Sequence, residues 1–293
     1  MADKILVVGA GGQLGRELVR SAPADIDCEA LTRARLDIAD PAAVDACLAE
    51  FAPSQVINAA AYTAVDKAEA EPGAAQRGNA EGPANLAAAC ARSNIRLLHV
   101  STDFVFDGTA SVPYAPGAEP APLGEYGRSK LAGERAVRAA LPDALIMRTG
   151  WVYSAFGNNF VKTMLRLMSE RDALSVVADQ VGTPTWARGL AAALWAAAAR
   201  PALSGVYHWS DAGVCSWYDF AVAICEEGLA SGLLHRAVNV RPIPAAEYPT
   251  PALRPAYSVL DKSATWRALE LEGTHWRRQL RAMLSDLKDL EDA

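Results

Sequence analysis

Tyr126 and Lys130 stand four residues apart in the string Tyr126-Gly127-Arg128-Ser129-Lys130. On a helix that spacing puts both on one face, within reach of a single ligand. An ammonium beside a phenol stabilises phenolate, so Lys130 is expected to bring the Tyr126 hydroxyl down from its ordinary pKa of about 10 toward working pH. A tyrosine tuned in this way is a general acid. The same spacing also occurs on solvated helix faces, so the rest of the chain has to supply the partners.

The first partner opens the chain. Lys4-Ile5-Leu6-Val7-Val8 is an apolar run of strand length, followed by Gly9-Ala10-Gly11-Gly12-Gln13-Leu14-Gly15 and then by Leu14, Leu18 and Val19 at helical spacing. Glycines in a strand-to-helix turn let the backbone approach a pyrophosphate, and a helix start offers free N–H groups to that anion. Gly9, Gly12, Gln13, Leu14 and Gly15 are therefore candidate cofactor contacts. The spacing is Gly-x-x-Gly-x-x-Gly, not the Gly-x-Gly-x-x-Gly of ordinary dehydrogenases. A packing-driven turn is the competing reading; the strand before it and the helix after it favour a dinucleotide.

These groups need a scaffold. Strand-like runs at residues 4–8, 27–32, 55–58, 96–101 and 144–149 alternate with helical patterns, the sign of an α/β fold with a parallel sheet covered on both faces. Residues 1–150 read as a Rossmann-type, doubly wound NAD(P)-binding domain. Residues 151–293 read as a smaller mixed α/β substrate-binding part, some of whose segments return to the Rossmann core. Asp40-Pro41 supplies a cap and a first-turn proline for a helix carrying Val44, Leu48 and Phe51. Residues 112–123, with Pro113, Pro116, Pro120 and Pro122, predict an irregular loop that forms one wall of a site just before the Tyr126 helix. A helix is expected from about Phe160, a strand at residues 174–177, and an extended loop over residues 238–257, which hold five prolines. Trp276, Leu280, Leu284 and Leu287 mark a final amphipathic helix.

Composition narrows the function classes. A chain of 293 residues that is 51% hydrophobic buries a large core. Its net charge of −6 argues against a nucleic-acid surface, so anionic ligands must be held by local groups. Five cysteines without a Cys-x-x-Cys pair suggest neither a disulfide framework nor a zinc site and suit a reducing cytoplasm. Met1-Ala2-Asp3-Lys4 leads straight into the first strand without a signal-peptide pattern, and the alanine-rich run at residues 190–199 is too short to cross a bilayer. No membrane partner is expected.

Open parallel sheets bind ligands beyond the carboxyl ends of their strands. Three segments fall there: Asn58-Ala59-Ala60-Ala61-Tyr62-Thr63, whose small residues let a ligand lie against backbone; Ser101-Thr102-Asp103, which brings a hydroxyl; and Arg148-Thr149-Gly150-Trp151. Ala60, Ala61, Tyr62 and Thr63 are candidate cofactor contacts. The strand at 27–32 is followed by Arg33 instead of the acid that normally meets a ribose 2′-hydroxyl. Arg33 suits a 2′-phosphate, so NADPH is expected, with NADH possible. His99 and His208, in apolar strings, read as structural histidines.

Taken in order, the glycine turn, Thr102 at a strand end and the Tyr126/Lys130 pair resemble an extended short-chain dehydrogenase/reductase. The strings Asn58 to Thr63, Ala64-Val65-Asp66-Lys67-Ala68-Glu69, Ser101 to Gly108, Asp179-Gln180-Val181-Gly182-Thr183-Pro184-Thr185 and Arg254-Pro255 to Leu260 resemble the dTDP-4-dehydrorhamnose reductase family over nearly the whole chain. The Asp179 and Arg254 strings are the more specific. The resemblance implies reduction of the 4-keto group of dTDP-4-dehydro-L-rhamnose to dTDP-L-rhamnose, for cell-envelope polysaccharide. Hydride comes from a nicotinamide, Tyr126 protonates the alkoxide, Thr102 donates a hydrogen bond to the same oxygen, and Lys130 lowers the phenol pKa and holds the ribose. It further implies that Asp103 and Trp151 touch the substrate and that Asp37-Ile38 contacts adenine. Trp151 offers a flat face to a base or sugar. Arg254 suits the diphosphate, with a surface salt bridge as the alternative. Some members of the family are reported as magnesium-bridged dimers that use glutamates. Glu17 is available here, but Arg188 stands where a second carboxylate is sought, so no metal is expected. The other readings are a sugar-nucleotide epimerase, a dehydratase, disfavoured because only one acid, Asp103, follows Thr102, and a non-catalytic NADP-binding regulatory subunit. The nucleotide base, the sugar stereochemistry and the oligomeric state stay open, a homodimer included.

Overall fold

The computed structural model describes residues 3–291; Met1 and Ala2 of the opening string lie outside the described residues. Six strands form the main sheet in the spatial order Gly205–His208, Leu145–Thr149, Arg96–Thr102, Gln55–Asn58, Asp3–Val8, Ile26–Leu31. Every neighbouring pair is parallel. The five strands of the first half match the sequence runs to within one residue at either end. They read as unbroken apolar runs because both faces are covered: Ile5, Leu6, Val7 and Val8 are all buried. From the first strand the chain goes to one side to form Ile26–Leu31 and then to the other to form Gln55–Asn58. The crevice where a ligand binds thus lies between the carboxyl ends of the first and third strands.

The helices follow their sequence signals. Asp40 Oδ1 accepts from the N–H groups of Ala42 and Ala43 at 3.0 and 3.2 Å, which fixes the start of the helix Pro41–Phe51. The alanine-rich helix Ala187–Ala198 packs Leu190 and Leu194 into the same core as Leu18 and Met147. With the strand Gly205–His208 it is the part of the second half that completes the Rossmann layer. The helices Phe160–Glu170, Trp217–Ser231 and Trp276–Glu291 enclose a separate core that includes Met164, Phe220, Ile224, Leu280 and Leu284. Trp276, Leu280, Leu284 and Leu287 form the buried stripe of the last helix. No helix among the described residues is long and apolar enough to cross a membrane.

One expectation fails. Residues 238–257 are not wholly loop, because Asn239–Ile243 forms a parallel strand against Ala173–Val177, with Pro242 opposite Val176. The sheet has only two strands, so a proline without an N–H group can occupy its edge.

The helix Glu125–Ala140 is tied to the fifth strand by a buried ion pair. Arg148 Nε and Nη2 donate to the two carboxylate oxygens of Glu134 at 2.9 and 2.7 Å, and the side chains are 4% and 3% exposed. Arg148 also lies over the Phe106 ring, 5.2 Å from its centroid. Glu134→Ala leaves this guanidinium buried and uncompensated and is expected to cost about 3–5 kcal/mol of stability. Urea unfolding checks this; an unchanged midpoint would contradict it.

Candidate active site

The glycine turn is built by backbone contact. Gly9 has φ +83°, and a Cβ there would stand 2.5 Å from the Ala60 nitrogen, so the loops after the first and third strands touch directly. A Cβ at Gly15 would stand 2.2 Å from the Gly9 oxygen, which seats the helix Gln13–Arg20 on the turn. A Cβ at Gly12 would meet nothing nearer than the Gly9 oxygen at 3.4 Å, leaving its outer side to a ligand. That helix has neither a side-chain cap nor an acid in its first turn, so the N–H groups of Gln13 and Leu14 remain for an anion. The Gln13 side chain accepts from Asn159 Nδ2 at 2.9 Å and joins the turn to the second lobe. These residues fit a dinucleotide pyrophosphate.

Around the rest of that crevice the placements are mixed. Arg33 is exposed and makes no ion pair among the described residues. Asp37 accepts from the Ala39 N–H at 3.1 Å and from Arg77 Nη2 at 3.0 Å, bonds that hold its carboxyl below the usual range. Ile38 is buried in the core with Leu36 and Val44, and a Cβ at Gly82 would meet it at 2.6 Å. At the expected adenine-contacting pair, the Asp37 carboxylate is thus engaged by Arg77 and the Ile38 side chain belongs to the core. In the Ala60 to Thr63 loop, the Ala60 N–H bonds Asn58 Oδ1 at 3.0 Å, and the Tyr62 N–H bonds Asn79 Oδ1 at 2.8 Å. Ala61 and Thr63 are exposed.

Asn79 was not singled out from the sequence. It lies in the π-turn Arg77–Glu81, is fully buried, and donates from Nδ2 to the Tyr62 oxygen and to Ser129 Oγ, both at 3.0 Å. Ser129 in turn donates to the Tyr126 carbonyl at 2.8 Å. One amide therefore joins the cofactor-side loop to the helix of Tyr126. The only sequence signal was a polar residue in the string Gly78-Asn79-Ala80.

The chemical groups gather at the end of the fourth strand. Tyr126 lies beside Thr102, whose hydroxyl donates to Asp103 Oδ1 at 3.1 Å. Burial pushes the Tyr126 phenol up to about 12, with the Asp103 charge raising it further and the Thr102 hydroxyl opposing. The expected depression by Lys130 is not realised. Lys130 is buried, its Nζ donates to the Val100 carbonyl at 2.7 Å, and burial lowers its own pKa to about 8. An amine whose ionisation is disfavoured and that donates to a backbone carbonyl favours a phenolate less than a free ammonium would. The phenol is thus held as the protonated acid. Asp103 is buried and raised to about 6 by desolvation, against hydrogen bonds from Ser258 and Thr102. Gly150 makes room for it, since a Cβ there would stand 2.4 Å from Asp103 Oδ2. His99 and His208 are buried and held neutral by burial, bonded to Asn58 and to the Tyr114 carbonyl, as structural histidines should be.

Comparison with known proteins shows the family. The family model for the RmlD substrate binding domain matches residues 3–289. A dTDP-4-dehydrorhamnose reductase of Aggregatibacter actinomycetemcomitans is 42% identical over 285 residues, covering 95% of this chain and 97% of the relative. The chain belongs to the dTDP-4-dehydrorhamnose reductase family. A crystal structure of such a reductase from Bacillus anthracis, in complex with NADP, superposes with a TM-score of 0.92 at 36% identity, covering 98% of this chain and all of that one. A relative from Streptomyces antibioticus, described as a probable dTDP-4,6-dihydroxy-2-methyloxan-3-one 4-ketoreductase, is 44% identical over 96% of this chain and 95% of its own length.

The structure also shows the surroundings of Trp151, Arg254, Glu17 and Arg188. Trp151 has φ +51°, a conformation that costs about 1–3 kcal/mol. Trp217 stacks on its indole at 3.5 Å and 3°, and Gly182 lies against the ring, since a Cβ there would stand 2.6 Å from Trp151 Cε2. With neighbours packed against the indole, the expected stacking face is taken and its half-buried edge is what a sugar or base can reach. Arg254 is held by Asp66 through Nη1 and Nη2 at 3.0 and 2.8 Å. The salt-bridge alternative is thus realised, and Nε remains for a ligand. Glu17 is fully buried and accepts from Ser154 Oγ at 2.7 Å. Arg188 sits 3.8 Å from Asp286, which Arg20 engages at 2.6 Å. Two guanidinium groups around one carboxylate do not fit a shared magnesium ion.

The raised Asp103 gives a pH signature. Its folded pKa of about 6 exceeds the ordinary 3.8, so above pH 4 the unfolded chain ionises first, and stability falls as pH rises to about 6. The loss is on the order of 3 kcal/mol. Asp103→Asn should remove that decline in unfolding measured between pH 4 and 7; an identical slope in both proteins would contradict it.

Proposed function

We propose that this chain reduces the 4-keto group of dTDP-4-dehydro-L-rhamnose with NADPH, giving dTDP-L-rhamnose. The observation that carries this reading is the gathering of Tyr126, Thr102 and Lys130 at the carboxyl edge of a parallel sheet that also bears the glycine turn. NADPH, when bound, supplies the hydride. Tyr126 gives its proton to the oxygen as the carbonyl becomes an alkoxide, and the Thr102 hydroxyl, turned from Asp103 to that oxygen, stabilises the charge forming on it. Lys130 directs one N–H at Val100, and its other donors hold the nicotinamide ribose.

The N–H groups of Gln13 and Leu14 take the pyrophosphate at the turn of Gly9, Gly12 and Gly15. The backbone from Ala60 to Thr63 lies along the cofactor, and the backbone at Asp37 and Ile38 faces adenine. Arg33 meets the 2′-phosphate, the feature that supports NADPH over NADH. Asp103, the edge of Trp151 and Arg254 Nε contact the sugar nucleotide, held by the lobe built from the second half of the chain. All five cysteines are free, which suits a cytoplasmic enzyme. A second reading, another dTDP-4-keto sugar as substrate, is favoured by the Streptomyces antibioticus relative.

Tyr126→Phe should lower kcat by about 10²–10⁴ with NADPH affinity kept, in a steady-state assay paired with a cofactor titration. Wild-type turnover would remove Tyr126 from the chemistry. Arg33→Ala should weaken NADPH about tenfold or more and leave NADH unchanged, because a charge-assisted bond to the 2′-phosphate is lost. Equal weakening of both cofactors would overturn the Arg33 assignment.

A further inference from the structure

The string Ala64-Val65-Asp66-Lys67-Ala68-Glu69 carried a family resemblance and no chemistry. It forms the short helix Val65–Ala70, on which Asp66 and Glu69, three positions apart, share a face. Glu69 Oε1 accepts the N–H of Glu125 at 2.8 Å across 56 residues of sequence. Glu125 is the first residue of the helix Glu125–Ala140, whose N-cap, Gly124, supplies no side-chain cap. A Cβ at Gly124 would stand 2.5 Å from that same Glu69 oxygen and 4.0 Å from the Leu253 carbonyl. The start of the helix bearing Tyr126 is thus capped from a distant segment, with glycine making room for the carboxylate. Asp66 holds the adjacent loop, accepting from Arg254 Nη1 and Nη2 at 3.0 and 2.8 Å and from the Ala252 N–H at 3.3 Å.

We propose that Glu69 and Asp66 are positioning residues for the reduction: one short helix clasps the start of the Tyr126 helix with Glu69 and the Arg254 loop with Asp66. The acid and the diphosphate-side guanidinium are thereby set in one frame. This rests on the roles proposed above for Tyr126 and Arg254, and turnover of the keto sugar by the wild-type chain is the control that tests those roles separately. With that turnover in hand, Glu69→Ala should lower kcat about tenfold or more, because the proton donor is misplaced, while the dissociation constant for NADPH changes by less than about twofold. Glu69→Gln should recover most of the rate, since its amide oxygen still accepts from Glu125. Asp66→Asn should raise KM for the sugar nucleotide and keep kcat. A lowered Tm with wild-type kcat per folded molecule in Glu69→Ala, or no recovery in Glu69→Gln, would overturn the role of Glu69. An unchanged KM in Asp66→Asn would overturn that of Asp66. Should Glu69→Ala not fold, Glu69→Asp carries the test. Its shorter side chain falls away from Glu125, so a reduced kcat beside an active Glu69→Gln supports the clasp, and wild-type kcat overturns it.

Discussion

The helix Glu125–Ala140 lies so close to its neighbours that at two positions a side chain has no room. A Cβ at Gly127 would stand 2.2 Å from the Phe104 oxygen, and one at Gly133 would stand 2.0 Å from the Asn79 oxygen. That close approach is the constraint on which the site depends. It brings Tyr126 to Thr102, places Lys130 under the fourth strand at Val100, and lets Glu134 reach Arg148 on the fifth. Asn79 and Glu69 hold the same helix from the cofactor side and from its start. Five contacts from four segments thus converge on one element, and few of them could shift without displacing the phenol.

Burial then decides the chemistry. In water, an amine one helical turn away favours a phenolate. In the crevice, desolvation raises the phenol and lowers the amine, so each leans toward its neutral form. The result is a neutral donor beside a hydroxyl, which suits delivery of a proton to a developing alkoxide. The same burial raises Asp103 and keeps His99 and His208 neutral.

What the sequence made legible was local. The five buried strands stand out because strands covered on both faces must be apolar throughout. The glycine turn and the Tyr126/Lys130 pair stand out because their geometry is set by spacing within a few residues. The strand Gly205–His208 reaches the sheet after a long excursion, and Asn239–Ile243 forms despite its proline, so neither was read as it lies. Asn79, Glu69 and Trp217 act across 50, 56 and more residues, distances at which no periodicity survives. The direction of the Tyr126 shift was misread for the same reason, since spacing reports which side chains are neighbours and not how much water surrounds them.

The purified chain, mixed with NADPH and dTDP-4-dehydro-L-rhamnose, should consume one NADPH for each sugar, followed by the loss of nicotinamide absorbance, and yield dTDP-L-rhamnose as identified by its configuration at the reduced carbon. No net NADPH loss with the sugar returned inverted at one carbon, or no turnover by the chain alone, would contradict a reductase built around Tyr126.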